Sequence, residues 1–246
     1  MPDALTQDLT DGSHTGRLLL VCDLGLLDYD AAYAIQKDVA RRRIAGEVDQ
    51  DVLLLVEHPP VVTLGRGTKP GNLLVTPDFL LSRGIQLRDI DRGGDVTVHE
   101  PGQLVAYPIV DLKRHKQDLH WYLRQVEESV MGALASFGLD SGRVPGRTGV
   151  WREGRKLASI GVHAREWVTW HGVALNVSND LDTFAHVVPC GIDQVEMTTV
   201  LRECSVAGIV APGMAGVRDA LAEAMADVFS LTPISVTSAP TNPYST

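Results

Sequence analysis

The order of apolar and polar residues in the first third of the chain predicts strands and one helix. RLLLVCDLG is an almost continuous apolar run, typical of a buried strand, and Cys22 within it is expected to be a core residue. DYDAAYAIQKDVARRRIAGE has the periodicity of an amphipathic helix, which Asp28 is placed to cap. VLLLVEHPPVVTLG predicts two short strands around a Pro-Pro bend, because proline cannot donate to a sheet ladder.

The rest of the chain combines helices with a β-rich block. DLHWYLRQVEESVMGALASFG predicts the clearest helix, ended by Gly138 at the C′ position, with an apolar stripe of Leu119, Leu123, Val126, Val130, Leu134 and Phe137. TGVWREGRKLASIGVHAREWVTWHGVALNV predicts a β-meander, because polar turns at REGR and ARE interrupt its apolar runs. GVRDALAEAMADVF predicts a last helix. Regular βαβ alternation is missing from this order, so an α+β fold is favoured.

Polar segments at both ends set the expected limits of the domain. Residues 1–16 are acidic and polar, and residues 236–246 are rich in Ser, Thr and Pro, so both are predicted to be disordered. Residues 17–235 contain no internal repeat or linker and are predicted to form a single domain with its own core. A monomer is favoured, since the pattern indicates no long exposed apolar helix.

Composition excludes several classes of function. The net charge of −9 argues against a nucleic-acid binder, which needs a basic surface. The chain has no apolar run of membrane-spanning length, and its start does not resemble a signal peptide, so a cytoplasmic protein without a membrane segment is expected. Three cysteines without a Cys-x-x-Cys pair predict neither a disulfide framework nor a zinc site, and no metal is assigned.

Basic residues are nevertheless clustered in two places. One cluster comprises Arg83, Arg88 and Arg92, and the other comprises Arg143, Arg147, Arg152, Arg155 and Lys156. Such a cluster is either a solvated face or a docking patch for an acidic partner.

Three segments have patterns that packing alone does not explain. RGGDVTVHEPGQLVAYPIVDL places two adjacent glycines before a short strand-like VTVH, and glycines let a ligand approach the backbone closely. GRKLASIGVHAREWVTWHGVALNV carries Lys156 within an apolar strand, where it is either an edge residue pointing to water or a site residue. VVPCGI holds Cys190 between Pro189 and Gly191, so it is either a nucleophile on a tight turn or a small residue filling a gap.

These segments, together with EHPPVVTLGR, resemble the octanoyltransferases of lipoate biosynthesis, the octanoyl-[acyl carrier protein]:protein N-octanoyltransferases. The resemblance runs in order from about residue 50 to about residue 200. It implies a mixed β-sheet packed with α-helices, as in the catalytic domain of biotin and lipoate protein ligases. It also implies transfer of an octanoyl group from octanoyl-acyl carrier protein to a lysine of a lipoyl domain. This is the first step of protein lipoylation from endogenous octanoate.

The resemblance also assigns residues. It implies that Cys190 carries the acyl group as a thioester and that Lys156 is its catalytic partner. The segments that line the substrate fall on Arg92, Gly93, Gly94, Asp95, Val96, Thr97, Val98, His99, Ser159, Ile160, Gly161, Gly172, Val173 and Ala174. The implied acceptors are the lipoyl domains of 2-oxoacid dehydrogenase E2 subunits and the glycine cleavage H protein. Because a thioester is already activated, neither ATP nor another cofactor is expected.

The chain departs from the family pattern at two positions. HEPGQ has Glu100 where the family usually has glycine, and Val98 stands where it favours an aromatic residue. If the glycine position has positive φ, Glu100 is strained or the turn is rebuilt. His99 and His171 are the histidines of most interest, either as hydrogen-bonded structural residues or as groups that orient the substrate. Cys204 is expected to be structural.

Two other functions fit the same features. An ATP-dependent lipoate or biotin ligase would use the fold and a lysine such as Lys156, and it would not need a nucleophilic cysteine. The chain lacks the Gly-Arg-Gly-Arg loop of biotin ligases, which favours the transferase. A non-catalytic acyl-binding protein is the third possibility, for which Glu100 is the only indication.

Overall fold

A computed structural model describes residues 17–189 and 195–240. These residues form eleven strands: β1 Leu18–Leu26, β2 Asp51–Glu57, β3 Val61–Leu64, β4 Gln86–Asp89, β5 Thr97–His99, β6 Gln103–Ile109, β7 Gly142–Val144, β8 Arg147–Arg152, β9 Arg155–Arg165, β10 Val168–Asn176 and β11 Thr232–Val236. Five α-helices accompany them: α1 Tyr29–Ile44, α2 Pro77–Ser82, α3 Leu119–Ser136, α4 Val200–Ala207 and α5 Met214–Phe229. Two short 3-10 turns cover Leu112–Arg114 and Asp182–His186.

Eight of the strands form one mixed sheet in the order β11-β1-β2-β6-β10-β9-β8-β7. β1 pairs in parallel with β11 and β2, and the other pairs of neighbours are antiparallel. The predicted meander is confirmed as β8, β9 and β10. Its turns are tight, because Glu153 and Gly154 have positive φ in one and Glu166 and Trp167 in the other. The α+β fold with a mixed sheet is therefore confirmed.

Helices cover both faces of this sheet. On one face, α3 and α5 pack together over a core that includes Val126, Val130 and Leu134 from the predicted stripe. On the other face, α1 packs with Ala32, Val39 and Ala40 against strands that include Cys22. Asp28 caps α1 by accepting from the Asp30 N–H, as its position in the sequence predicts. Gly138, with φ of 76°, follows α3 in the left-handed conformation expected at C′.

The two strands around the Pro-Pro bend belong to different sheets. β2 lies inside the large sheet, whereas β3 is the central strand of a three-stranded sheet in the order β4-β3-β5. Pro59 and Pro60 cannot continue the ladder of β2 because they have no N–H, so the chain leaves the large sheet there. The small sheet has its own core, which includes Val62, Leu80, Val96 and Val98. This separation positions residues 92–99 beside the large sheet.

The folded domain extends beyond its predicted end. Residue 236 was the expected start of a disordered tail, but Val236 is the last residue of β11 and pairs with Cys22. Ala239 is buried, and the Pro240 carbonyl accepts a hydrogen bond of 2.8 Å from Arg42 Nη1. The tail prediction is therefore wrong for residues 236–240, because the parallel partner β1 and the side of α1 hold this segment. Residues 1–16 and 241–246 lie outside the described residues.

Membrane-spanning helices are absent from the part of the chain that the structure describes: none of its helices combines the length and the apolar character that crossing would need.

Candidate active site

A cavity of about 830 Å³ lies where residues 92–99 meet the middle of β9 and β10. Its lining comes from segments far apart in the chain: Tyr29, Arg92 to Asp95, Thr97, His99, Val105, Tyr107, Leu119, His120, Leu123, Gly146 to Thr148, Ser159 to Val162 and His171 to Ala174. A cavity of this size, with apolar walls and a few polar groups, is typical of small-molecule sites.

Backbone contacts hold the Arg92–Gly94 loop against β9. The Gly93 N–H donates to the Val162 carbonyl over 2.8 Å. A Cβ on Gly161 would lie 2.8 Å from the Gly93 oxygen, so only glycine permits this approach. The Arg92 guanidinium donates to the Thr63 carbonyl and hydroxyl over 2.9 Å each. Arg92 therefore anchors the loop to β3 while it borders the cavity.

Most of the residues predicted to line the substrate are brought together at this cavity. All border it except Val96 and Val98. These two side chains have no exposed surface and pack into the core of the small sheet. Successive residues of a strand face opposite sides, so Thr97 and His99 reach the cavity while their valine neighbours point away. Val96 and Val98 are thus core residues, which corrects their expected position.

Several lining residues were not predicted from the sequence. Tyr29 begins α1, and Val105 and Tyr107 lie on β6. The alternation of side chains along β6 could have identified Val105 and Tyr107 from the sequence, since positions 105 and 107 share one face of the strand. Leu119 and Leu123 were expected in the core stripe of α3, but the first turns of that helix border the cavity instead.

The cavity has an open rim and a buried inner end. At the rim, Leu119 is 39% exposed, and Gly146 and Arg147 are also exposed. At the inner end, Tyr29 and Tyr107 are 2% and 3% exposed. A ligand with one reactive end and one apolar end would therefore place its apolar end among the tyrosines.

Two buried histidines form part of the inner end. His58 contacts the Leu27 carbonyl through Nδ1 over 2.7 Å, and its Nε2 lies 2.8 Å from the Tyr107 hydroxyl. His99 contacts Gln103 Oε1 through Nδ1 over 2.9 Å. Burial lowers the pKa of His58 below its ordinary value and that of His99 well below it. Both rings are therefore neutral near pH 7.

His171 is held in an uncommon backbone conformation beside the cavity. Its φ is 57° within β10, and its N–H donates to Gln36 Oε1 over 2.9 Å. The ring donates from Nε2 to Asp91 Oδ1 over 2.6 Å and stacks on Tyr33. Burial lowers the pKa of His171, and the pKa of Asp91 lies well below its usual range because His171 and other donors hydrogen-bond to it. These hydrogen bonds favour the alternative in which His171 is a structural residue.

Lys156 is a buried residue. Its exposed fraction is 0%, so the alternative in which it points to water at a sheet edge is wrong. The side chain lies against Gly149, where a Cβ would be 2.8 Å from Lys156 Cε, and Nζ is 5.3 Å from the Trp151 ring centroid. Gly149 directly follows Thr148 in the cavity wall. Lys156 therefore lies immediately behind the rim.

Cys190 lies outside the described residues, and so does Gly191. The chain on both sides of it is well anchored. The Val188 N–H donates to the Asn72 carbonyl over 2.8 Å. On the other side, the Lys156 N–H donates to the Glu196 carbonyl over 2.8 Å, and the Thr198 N–H donates to the Lys156 carbonyl over 3.0 Å. Residues 196–198 therefore lie against the backbone of Lys156.

The other two cysteines are structural, as expected. Cys22 and Cys204 are 1% and 0% exposed and belong to the two main cores. Burial raises the pKa of Cys22 to about 11 and also raises that of Cys204.

Glu100 is accommodated without backbone strain. It is absent from the residues with positive φ, whereas Gly102 in the same turn has φ of 87°. The side chain is 5% exposed, and its Oε1 accepts from Asn179 Nδ2 over 2.8 Å and from the Leu181 N–H over 3.2 Å. The carboxylate thus ties the turn to the loop after β10 and leaves the cavity to its neighbours.

The second basic cluster, expected to be either a solvated face or a docking patch, is largely engaged in ion pairs. Arg143 donates to Glu127 Oε2 over 2.8 Å, and Arg155 donates to both oxygens of Glu203 over 2.7 and 2.8 Å. Arg152 lies 3.4 Å from Glu203. Both glutamate side chains have no exposed surface, so the fold needs these cations. Arg147 remains exposed at the rim of the cavity.

Comparison with known proteins agrees with this architecture. Residues 28–226 match the family described as Lipoyl protein ligase A/B catalytic domain. An octanoyltransferase from Geotalea uraniireducens is 50% identical over 183 residues, which are 74% of this chain and 82% of that protein. An octanoyltransferase from Chloroflexus aggregans is 44% identical over 225 residues, which are 90% of this chain and 100% of that protein.

Solved structures show the same fold at low sequence identity. A bipartite lipoate protein ligase from Thermoplasma acidophilum aligns with a TM-score of 0.68 at 19% identity, covering 92% of this chain and 89% of that chain. A biotin protein ligase from Leishmania major aligns with a TM-score of 0.53 at 14% identity, covering 87% and 76%.

The fold and its cavity therefore define a catalytic domain of the lipoyl protein ligase A/B type. Within that class the chain belongs to the octanoyltransferase family, and it is an acyltransferase.

The buried ion pairs around Glu203 predict a pH-dependent contribution to stability. The hydrogen bond from Arg155 lowers the pKa of Glu203 below 4.5. The stabilisation it supplies is present above the ordinary glutamate pKa and is lost as the pH falls through the lowered value. Glu203→Gln should therefore reduce the free energy of unfolding by about 1.5–3 kcal/mol at pH 7. In urea titrations the difference from wild type should shrink below about pH 4, and a difference that grows there would contradict this assignment.

Proposed function

We propose that this acyltransferase moves an octanoyl group from octanoyl-acyl carrier protein to a lysine of a lipoyl domain, through a thioester on Cys190. One observation carries the proposal: an acyl-sized cavity begins at a rim beside Lys156 and ends among buried tyrosines. The octanoyltransferase relatives support the size of the acyl group. The acceptors proposed are the lipoyl domains of 2-oxoacid dehydrogenase E2 subunits and the glycine cleavage H protein.

The first half of the reaction is an exchange between thiols. The Cys190 sulfur attacks the thioester carbonyl, a new C–S bond forms, and the carrier thiol leaves with a proton. The exchange is close to isoenergetic because one thioester replaces another. In the second half, the lysine nitrogen attacks the enzyme thioester, the C–N bond forms, and the C–S bond to Cys190 breaks. Dividing the transfer into two steps is the usual benefit of covalent catalysis.

Lys156 is proposed to move protons in both halves. A free cysteine with a pKa of about 8.5 is only about 3% thiolate at pH 7. Lowering that pKa by about two units would increase the thiolate roughly 25-fold, but about 6–10-fold of the gain is lost to weaker nucleophilicity. A charge effect alone is therefore worth only a few-fold. A shuttle would take the thiol proton, deliver it to the carrier thiol and later accept one from the amine.

The inner end of the cavity is proposed to set the preferred chain length. Ile160 and Val173 border the cavity together with Tyr29 and Tyr107. A closed end discriminates against longer chains, because additional carbon atoms have no space. Each buried CH₂ contributes about 0.8 kcal/mol. A pocket that accommodates two additional CH₂ groups would therefore bind the longer chain roughly 15-fold more tightly than the octanoyl chain.

Docking of the carrier is proposed to use the rim. Both protein partners are expected to be acidic, and this chain has a net charge of −9, so local positive charge is needed. Because Arg143, Arg152 and Arg155 are engaged with glutamates, Arg147 is the member of the basic cluster best placed for this contact.

An ATP-dependent lipoate or biotin ligase is the second candidate function. It is favoured by the shared fold with the ligases, one of which was solved with ATP bound. Such enzymes activate a free acid and do not need a thioester on the protein. A requirement for ATP separates the two functions.

Octanoyl-acyl carrier protein alone should acylate the enzyme. Mass spectrometry of the mixture should find one octanoyl group on Cys190 without ATP, and addition of a lipoyl domain should remove it. Cys190→Ser should abolish the adduct, whereas Cys204→Ser, at a buried structural cysteine, should retain it. An adduct that forms only with ATP and free octanoate would instead identify a ligase.

Lys156→Arg tests the proton shuttle. Arginine preserves the positive charge but stays protonated, so turnover should fall by at least about 100-fold. Lys113→Arg, at an exposed position, is the matched control. Thermal unfolding should verify that Lys156→Arg folds, because the side chain is buried against Gly149. Near-wild-type turnover in a folded Lys156→Arg enzyme would refute the shuttle.

Tyr29→Ala tests the closed inner end. Removing the ring should open space beside His99, on which Tyr29 stacks with centroids 5.8 Å apart. The ratio of kcat/KM for decanoyl to octanoyl carrier protein should rise by roughly 15-fold. Tyr33→Ala is the matched control, since Tyr33 also stacks on Tyr29 but does not border the cavity. An equal change in both variants would show that Tyr29 does not limit chain length.

A further inference from the structure

Two tyrosine–histidine pairs lie at the inner end of the cavity, and their polar atoms are used differently. In the first pair, His58 donates from Nδ1 to the Leu27 carbonyl, so its Nε2 accepts from the Tyr107 hydroxyl over 2.8 Å. In the second pair, Tyr29 and His99 stack with their ring centroids 5.8 Å apart and form no hydrogen bond with each other. The second pair therefore keeps hydrogen-bonding capacity that the first pair has used.

The proton position on His99 follows from its neighbours. The Val98 carbonyl can only accept a hydrogen bond, so Gln103 Nε2 faces it and Gln103 Oε1 is an acceptor. His99 Nδ1 lies 2.9 Å from that oxygen and therefore carries the proton. Burial holds the pKa of His99 well below its ordinary value, so the ring is neutral near pH 7. His99 Nε2 consequently presents a lone pair and acts as an acceptor.

Tyr29 supplies the complementary donor. Burial raises the pKa of Tyr29, so its hydroxyl stays protonated near pH 7. Within residues 17–189 and 195–240, neither the Tyr29 oxygen nor His99 Nε2 has a hydrogen-bond partner, and neither atom is completely buried. The two residues are only 2% and 6% exposed, and both border the cavity. The inner end of the cavity therefore offers one donor and one acceptor to a ligand.

An alcohol is a small group that satisfies both atoms. A hydroxyl can donate to His99 Nε2 while its oxygen accepts from the Tyr29 O–H. Two hydrogen bonds of about 2.8 Å through one oxygen span up to about 5.6 Å. This span is comparable with the 5.8 Å between the two ring centroids. A terminal methyl group leaves both atoms unpaired, and a carboxylate has no proton to donate and places a charge in a buried position.

We infer that the enzyme also transfers acyl groups that carry a hydroxyl on their last carbon, such as 8-hydroxyoctanoyl, and that Tyr29 and His99 bind this hydroxyl. The inference rests on the proposed function, which gives the inner end of the cavity to the far end of the acyl chain. The C–S bond to the carrier is replaced by the C–S bond to Cys190, and this bond is then replaced by the C–N bond to the acceptor lysine. The hydroxyl takes no part in making or breaking bonds.

Two acyl groups of equal size separate the effect of polarity from that of length. The 8-hydroxyoctanoyl and nonanoyl groups have the same number of heavy atoms and differ only in the last one, which belongs to OH or CH₃. With carrier-bound donors and a lipoyl domain as acceptor, the ratio of kcat/KM for 8-hydroxyoctanoyl to nonanoyl should be at least about five. A ratio of one or less would overturn the inference, because an apolar inner end penalises a hydroxyl.

Tyr29→Phe removes the donor and preserves the ring that stacks on His99. The ratio should fall by about fivefold, because the nonanoyl group does not use the lost hydroxyl. Tyr33→Phe makes the same change at a tyrosine that stacks on Tyr29 but does not border the cavity, and the ratio should stay within about twofold. Any preference of the carrier for one chain cancels, because each variant receives the same two donors.

The outcomes separate two kinds of failure. An unchanged ratio in Tyr29→Phe, or an equal fall in both variants, would overturn the binding of the hydroxyl while the octanoyl adduct on Cys190 still forms. Absence of the octanoyl adduct in the wild-type enzyme would overturn the proposed function itself, and this inference with it.

Discussion

The candidate active site depends on close contact between main-chain segments at glycine positions. Gly161 and Gly172 are opposite each other in β9 and β10, and the first of them leaves room for the Gly93 carbonyl. A Cβ on Gly172 would overlap the Ala106 carbonyl of β6. Gly65 faces Gly94 in the same way. Because main-chain atoms form this wall, its shape is set by the sheet and does not change with side-chain rotamers.

A second requirement is that the charges buried near Lys156 have partners. Glu127 accepts from the Gly149 N–H and from Arg143, while Glu203 accepts from Arg155 and Thr198. An unpaired carboxylate would be costly in these positions. The arginines of the second basic cluster that pair with these glutamates therefore have a structural role first. This arrangement explains how an acidic chain can keep a basic cluster without exposing most of it.

Local patterns predicted the elements well, and they predicted their arrangement less well. The meander, α3 with Gly138 and the Asp28 cap follow from periodicity and capping, because both are set by neighbouring residues. The assignment of β2 and β3 to separate sheets depends on partners 25 or more residues away, which no local pattern contains. The ion pairs of Arg143 and Arg155 were missed for the same reason. Val96 and Val98 could have been placed in the core by strand alternation alone.

The burial of two cysteines limits their reactivity toward any acyl thioester. Only a thiolate exchanges with a thioester at a useful rate. With a pKa of about 11, Cys22 is ionised in roughly one molecule in ten thousand at pH 7. Burial also raises the pKa of Cys204, and this residue has no exposed surface. Neither sulfur is therefore ionised or accessible enough to accept an acyl group, so an acyltransferase with this fold avoids forming an unproductive thioester on these two cysteines.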